Sequence, residues 1–429
     1  MNNRALIVCP HSTSTSLDDK QRALYEEEAY SLCRALNLDI FDTYTLSLKQ
    51  INAATYISTG HLEKIATIVK EHNIGLVYID THIKPGQQRD LEEKLNTKVI
   101  DRTGLILEIF ADRAQTQEGR IQVDLAYKNY QKSRLVRAWT HLERQRGGGG
   151  FIGGPGEKQT ELDRRALDVE IRKLEKELEK VKSSRMLQRK AREREHFPII
   201  ALVGYTNAGK STLFNKLTRS RVLSKDMVFA TLDPTMRGLT LQGGQKAILS
   251  DTVGFIRNLP TELVAAFSAT LEEVVEADII LHVHDVSAED KDTQAATVSQ
   301  TLEDLGIPHD SEQIIHVYNK IDLLRQHDEF EANRLINLNN RDHRHVAISA
   351  VTNEGIDDLL SSLVQHLMID HDEVVFDLPI TDGRAISWLH SYGHVDSVRY
   401  SEDRAEMHVT MGKIALNKFI KIFEYYPLP

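Results

Sequence analysis

The sequence predicts an α/β protein centred on a P-loop domain with a doubly wound, mostly parallel sheet. A small α/β domain and a long antiparallel helical hairpin precede it, and a small α/β C-terminal domain follows. Three observations predict this. Gly204-Tyr205-Thr206-Asn207-Ala208-Gly209-Lys210-Ser211 has the spacing of a phosphate loop and lies between an apolar, β-favouring run, Ile199 to Val203, and a helix-like stretch, Ser211 to Leu217. Short apolar runs alternate with helix-like stretches over residues 1–108. Leu167, Ile171, Leu174, Leu178 and Val181 follow four-three spacing flanked by Lys and Glu, the seam of a paired helix.

In residues 1–108 the apolar runs are Ala5 to Val8, Leu38 to Phe41, Leu76 to Ile79 and Val99 to Ile100; the helix-like stretches are Asp18 to Leu36, His61 to Glu71 and Pro85 to Leu95. Such βα alternation predicts a small parallel sheet with covering helices. The segment has no Gly-rich phosphate fingerprint and reads as a binding or scaffold domain.

Residues 109–196 read as the hairpin. Ile121, Leu125, Leu135, Trp139 and Leu142 recur at helical spacing in the first arm, and the heptad seam marks the second. Between them lies 147–156, Gly147-Gly-Gly-Gly150-Phe151-Ile152-Gly153-Gly154-Pro155-Gly156, framed by Arg144, Arg146, Lys158, Arg164 and Arg165. Arms of roughly 30 residues would hold this tip about 45 Å from the base. Glycine tracts are usually linkers. A linker rarely centres on Phe and Ile between arginines, however, and this one reads as an RNA probe: glycines allow close approach, Phe151 can stack on a base and the arginines can neutralise phosphates.

The domain at 197–370 carries an ordered motif series. Two glycines let loop N–H groups close on phosphates, while Lys210 and the hydroxyl of Ser211 serve the terminal phosphates and Mg²⁺. A strand at Ala247 to Leu249 delivers Asp251-Thr252-Val253-Gly254, where the carboxylate can hold Mg²⁺ through water and the Gly254 N–H can meet the γ-phosphate. After a strand at Ile314 to Tyr318, Asn319-Lys320-Ile321-Asp322 supplies a carboxylate for the N1–H and amino group of guanine, a donor pair that adenine lacks. Ser349-Ala350-Val351 follows. The series predicts a GTPase (G) domain, with further strands at Ile279 to Val283 and Val346 to Ile348 and helices near 261–276, 290–305 and 355–368. His282 and His284 alternate on a predicted strand, with no cysteine or acidic cluster at metal spacing, and read as structural. Residues 371–429 form a short tail punctuated by Pro379, Gly383 and Gly393 in which no chemistry is legible.

A net charge of −10 argues against a protein that coats nucleic acid generally, yet residues 111–196 hold 21 Lys and Arg against 14 Asp and Glu. The hairpin is the electrostatic footprint. Cys9 and Cys33 are the only cysteines, which gives no disulfide framework. No apolar run approaches a membrane span and the N-terminus lacks a secretion signal, so the cytoplasm is expected.

The nucleotide motifs paired with a glycine hairpin resemble the HflX family of ribosome-associated GTPases over nearly the whole chain. The specific segments are Val99-Ile-Asp101-Arg-Thr-Gly-Leu-Ile-Leu, Trp139-Thr-His-Leu-Glu143-Arg, Gly154-Pro-Gly-Glu157, Asp163-Arg-Arg165, Phe229-Ala230-Thr231-Leu232-Asp233-Pro-Thr235 and Asp251-Thr-Val-Gly-Phe255-Ile-Arg. Gly153 stands where relatives are expected to carry arginine, and Lys158, Thr160 and Leu162 depart from the family's pattern after the tip. The resemblance implies GTP as substrate and Mg²⁺ on Ser211 and Thr231, with Asp251 reaching the ion through water. Thr231 would belong to the first switch and Asp251 and Gly254 to the second, with Phe229 to Asp233 and Asp251 to Gly254 binding nucleotide and Lys210, Thr231 and Gly254 as catalytic groups. Asn207 either holds K⁺, as in some relatives of this GTPase class, or is a loop-stabilising amide. The implied partner is the large ribosomal subunit, approached near the peptidyl-transferase centre by loop 147–156. The GTP form would split or rescue stalled ribosomes or block subunit association, and the protein would be a monomer off the ribosome. Phe255, at a position where many GTPases place a water-orienting glutamine, predicts weak intrinsic turnover that a partner raises. Two other readings fit the residues: a signalling GTPase whose hairpin dimerises, and an ATP-using enzyme with activity in the N-terminal half.

Overall fold

Strand β1 (Arg4–Ser12) begins a four-stranded parallel sheet with β2 (Asp39–Leu48), β3 (Leu76–Ile79) and β4 (Lys98–Asp101), in the order β2-β1-β3-β4. Helices α1 (Asp19–Ala35), α2 (Thr59–Glu71) and α3 (Pro85–Leu95) join the strands, and α4 (Arg102–Arg113) follows β4 without a break. Asp18 caps α1 by accepting from the Gln21 N–H at 2.7 Å. This computed structural model describes residues 3–13, 18–138, 155–193, 197–219, 228–229, 231–232, 235–241, 246–257, 268–339, 343–368, 371–401 and 403–428.

Helix α5 (Gln117–Ala138) runs against α6 (Pro155–Glu193). Lys128 pairs with Glu170 at 2.7 Å and Lys132 with Asp168 at 2.5 Å; as one number rises the other falls, so the helices are antiparallel. Residues 167, 171, 174, 178 and 181 are all at least partly covered, and Ile171 is fully buried, whereas Val169 between them is exposed. The four-three seam is therefore the face that meets α5. At 39 residues, α6 spans about 58 Å. The loop at 147–154 and the predicted contacts Trp139 and Leu142 lie outside the described residues.

Asp101 fixes the base of the hairpin. Fully buried at the end of β4, it caps α4 by accepting from the Gly104 N–H at 2.9 Å and takes hydrogen bonds from Tyr130 and Arg134 of α5, both at 2.6 Å.

The third unit is a six-stranded sheet in the order β10-β9-β8-β5-β7-β6. Its strands are β5 (Ile199–Gly204), β6 (Thr235–Thr240), β7 (Lys246–Asp251), β8 (Ile279–Asp285), β9 (Ile314–Asn319) and β10 (His345–Ala347). All neighbours are parallel except β6, which runs antiparallel to β7 at the edge. Helices α7 (Lys210–Thr218), α8 (Ser268–Val275), α9 (Lys291–Asp304), α10 (Ile321–His327), α11 (Glu329–Asn339) and α12 (Ile356–Met368) accompany it. The inner strands β5 and β8 are buried on both faces and read as continuous apolar runs, as Ile200 to Val203 and Ile279 to Leu281 do. The predicted P-loop fold class is the fold observed.

A separate antiparallel sheet, β11-β13-β12, closes the chain: β11 (His371–Pro379), β12 (His394–Tyr400) and β13 (Arg404–Gly412), with α13 (Gly383–Tyr392) and α14 (Lys413–Phe423) packed on Phe376, Met407 and Phe419. No described helix is long and apolar enough to cross a membrane.

Candidate nucleotide site and its switches

The parallel strands β5, β8 and β9 end at one edge of the sheet, and the predicted site residues gather there. Gly204 and Gly209 have φ of +152° and +95°, and added Cβ atoms would collide with the Val283 carbonyl and the Asn319 amide. Only glycine fits either place. Asn207 also takes a left-handed φ of 64° and exposes its side chain, while Thr206 and Ala208 are buried.

Lys210 folds under this loop, donating to the carbonyls of Gly204 at 2.9 Å and Tyr205 at 2.7 Å. Burial pushes its ammonium down to about 8, against the raising influence of Asp251. Phosphate oxygens would favour the charged form, so binding takes up a proton wherever the free protein has lost it. GDP affinity should hold steady below about pH 8 and fall, by up to about tenfold per pH unit, above it. Calorimetry at about pH 9 in two buffers of different ionisation heat should register that uptake for the natural protein and not for Lys210→Met.

Ser211, Thr231 and Asp251 converge. Both hydroxyls donate to Asp251 Oδ2 at 2.8 Å and lie 3.0 Å from each other. Asp251 is fully buried, and its Oδ1 has no hydrogen-bond partner among the described residues. Burial raises its pKa, while Lys210 and the two hydroxyls oppose the rise. Two hydroxyls and a carboxylate with an unsatisfied oxygen are hard donors of the kind Mg²⁺ takes, so the residues fit that ion. Gly254 lies over the same spot: a Cβ there would come within 2.8 Å of Thr206 Cγ2 and 3.0 Å of Lys210 Nζ. Thr252 and Val253 are buried beside it.

Asn319 ties three loops together. Its amide donates to the Ala208 carbonyl at 2.8 Å and its oxygen accepts from the Ala350 N–H at 3.1 Å. Lys320, at a left-handed φ of 68°, pairs with Asp285 at 2.6 Å. Ile321, the first residue of α10, is buried, and Asp322, in the first turn of that helix, is half-exposed with no side-chain hydrogen bond among the described residues. Ser349 is buried and accepts from the Thr352 N–H at 3.1 Å, whereas Val351 is exposed. Ala230 and Asp233 lie outside the described residues.

Sequence reasoning missed how the predicted switch segments are held. Phe229 and Leu232 are buried, and the Phe229 ring meets Phe110 of α4 edge-on at 4.7 Å. Phe255 is buried in the same core, bridged to Tyr205; it offers water no hydrogen bond. The Tyr205 hydroxyl accepts from the Arg257 N–H at 3.0 Å and donates to Glu28 of α1. Arg257 reaches Asp80 at 3.2 Å and stacks 3.4 Å over Tyr25. Arg102 joins the group, pairing with Glu28 and with Asp80 at 2.5 Å while donating to the Arg257 carbonyl at 3.0 Å. Phosphate loop and predicted second switch thus share a buried ionic cluster with the N-terminal domain. The only sequence signal was Asp101-Arg102 at a strand end.

Three family profiles match the chain in series: GTP-binding GTPase N-terminal over residues 24–111, GTP-binding GTPase Middle Region over 113–192, and 50S ribosome-binding GTPase over 199–320. Among relatives, the GTPase HflX of Magnetococcus marinus is 45% identical over 419 residues, 97% of this chain and 94% of its own length. That of Escherichia coli is 40% identical over 377 residues, 88% and 87% of the two chains. A GTP-binding protein from Sulfolobus solfataricus, solved with GDP, is 25% identical, covering 84% of this chain and 98% of its own, with a TM-score of 0.45. With the nucleotide-site geometry in place and identity sustained over nearly the full length, the chain belongs to the HflX family and is a GTP-hydrolysing enzyme.

Proposed function

We propose that this GTPase binds the large ribosomal subunit in its GTP form, reaches ribosomal RNA near the peptidyl-transferase centre with loop 147–156, and thereby splits or rescues stalled ribosomes or blocks subunit association. The observation that carries the reading is the antiparallel pair α5–α6, a long arm in the segment with the chain's cationic surplus. Its base is tied to both neighbouring domains. Asp101 grips α5, and Lys182 of α6 meets Glu272 of α8 at 3.1 Å. A change in the second switch therefore has a short route to the arm. The same packing weighs against a dimerising hairpin, because the heptad seam is already covered by α5 within one chain.

In this reading Lys210 contacts the β and γ phosphates, Ser211 and Thr231 hold Mg²⁺ with Asp251 behind it, and the Gly254 N–H faces the γ-phosphate. Intrinsic turnover is weak because Phe255 orients no water, and the subunit raises it by ordering both switches. The exposed Asn207 side chain would hold K⁺, which would supply positive charge for phosphoryl transfer. Turnover higher in K⁺ than in Na⁺ is the expected result, and equal turnover removes that role.

Sedimentation tests the whole. With a non-hydrolysable GTP analogue the protein should travel with large subunits and with GDP it should not. Self-association through 157–195 without subunit binding would overturn the proposal.

A further inference from the structure

Three adjacent strands carry a concentration of imidazole that nucleotide chemistry does not use. His282 and His284, two apart on β8, share one face of the sheet. The strand register sets His316 of β9 opposite His282 and Tyr318 opposite His284, while His345 of β10 stands opposite His316. His284 Nε2 and His316 Nδ1 are 3.1 Å apart, and the His282 and His284 ring centroids are 3.8 Å apart. One nitrogen from each of His282, His284 and His316 lies within 4.8 Å of the other two. His345 stacks on His316 at 5.1 Å and hydrogen-bonds the Tyr318 hydroxyl at 2.9 Å.

We propose that His282, His284 and His316 form a binding site for one zinc-class dication, with its fourth position left to water. The neutral imidazole is the ligating form, and burial lowers the pKa of two of the rings, His282 well below its ordinary range and His284 to about 3. At Zn–N lengths of about 2.0–2.1 Å, a tetrahedral pair of nitrogens stands about 3.3 Å apart. The His284–His316 pair already has nearly that separation. His282 needs to close by on the order of 1–2 Å, which its broad χ2 well permits. Imidazole is a ligand of zinc, copper and nickel, whereas Mg²⁺ takes oxygens, so this site and the Ser211–Asp251 site select different ions. His345 and Tyr318 would be the outer partners that keep the His316 ring oriented.

Mere packing is the competing explanation. Three touching imidazoles are a costly filler, since aliphatic side chains occupy the same strands without any polar atom to satisfy. The position is also consequential. Each strand's next step belongs to the nucleotide pocket: Asp285, which holds Lys320, follows His284, and Asn319 follows Tyr318. A bound ion would pin β8 to β9 just before the base-recognition loop. Lys210 is the cation whose charge reaches His282, and nucleotide phosphates would offset it.

The test uses the full chain, stripped by chelator, loaded with GDP and saturated with Mg²⁺, then titrated with Co²⁺ under visible absorption. One equivalent should give the intense bands of a four-coordinate nitrogen site, and Zn²⁺ should displace them. His284→Val and His316→Val should each abolish the bands while GDP affinity stays within about twofold, which reports a folded G domain. His309→Gln, at an exposed position, should change nothing. Absence of the bands in the natural protein, or only the weak absorption of octahedral oxygen coordination, would overturn the proposal. So would equal binding by both valine variants.

Discussion

Asp322→Asn is expected to transfer nucleotide preference from GTP to xanthosine triphosphate. The carboxylate sits in the first turn of α10, half-exposed and uncommitted among the described residues, while Asn319 beside it is fixed to the loops at Ala208 and Ala350. That rigidity matters because recognition needs two acceptor oxygens facing the N1–H and amino donors of guanine. An asparagine presents one acceptor and one donor, so its amide opposes the guanine amino group and suits the carbonyl that xanthine has there. Two hydrogen bonds to a charged group contribute about 3–5 kcal/mol, and GTP affinity should fall about 10²- to 5 × 10³-fold. Competition binding of GTP, xanthosine triphosphate and ATP measures it. Unchanged preference would point to the ATP-using alternative.

Arg257→Ala should loosen the G domain from the N-terminal domain. The arginine is charge partner to Asp80, cation over Tyr25 and, through its backbone, neighbour to Tyr205 and Arg102. Removing it leaves Asp80 with one guanidinium in place of two, and loss of a charged hydrogen bond costs about 1.5–3 kcal/mol. Urea unfolding should show that loss or split into two transitions. Arg237→Ala, at an exposed position on β6, should stay within about 0.5 kcal/mol. Equal effects from the two variants would reduce the ionic cluster to decoration.

The sequence made the candidate nucleotide site legible because its residues are local: glycines with forced φ, a lysine and a hydroxyl at fixed offsets, and a carboxylate at a strand end. Runs such as Ile199 to Val203 likewise placed all five parallel strands of the G domain that surround it. The edge strand β6 was not legible, since Thr235-Met-Arg-Gly-Leu-Thr240 mixes polar and small residues and pairs with water on one side. Helix α4 was also missed, because Thr103 to Phe110 is buried almost continuously and shows no helical periodicity. Helices α10 and α11 follow the guanine motif with a weak apolar pattern. The ionic cluster joins Glu28, Asp80, Arg102 and Arg257 from distant stretches, each an ordinary surface charge until the domains meet. His316 had no visible link to His282, because strand pairing alone brings them together.

The central claim, that a guanine-nucleotide switch works a cationic hairpin against the large subunit, is tested most directly by GTP turnover with and without purified large subunits, repeated on protein lacking residues 147–156. The account predicts strong stimulation for the intact chain and little for the shortened one, with basal turnover equal in both. Stimulation that survives the deletion, or none in the intact protein, would contradict it.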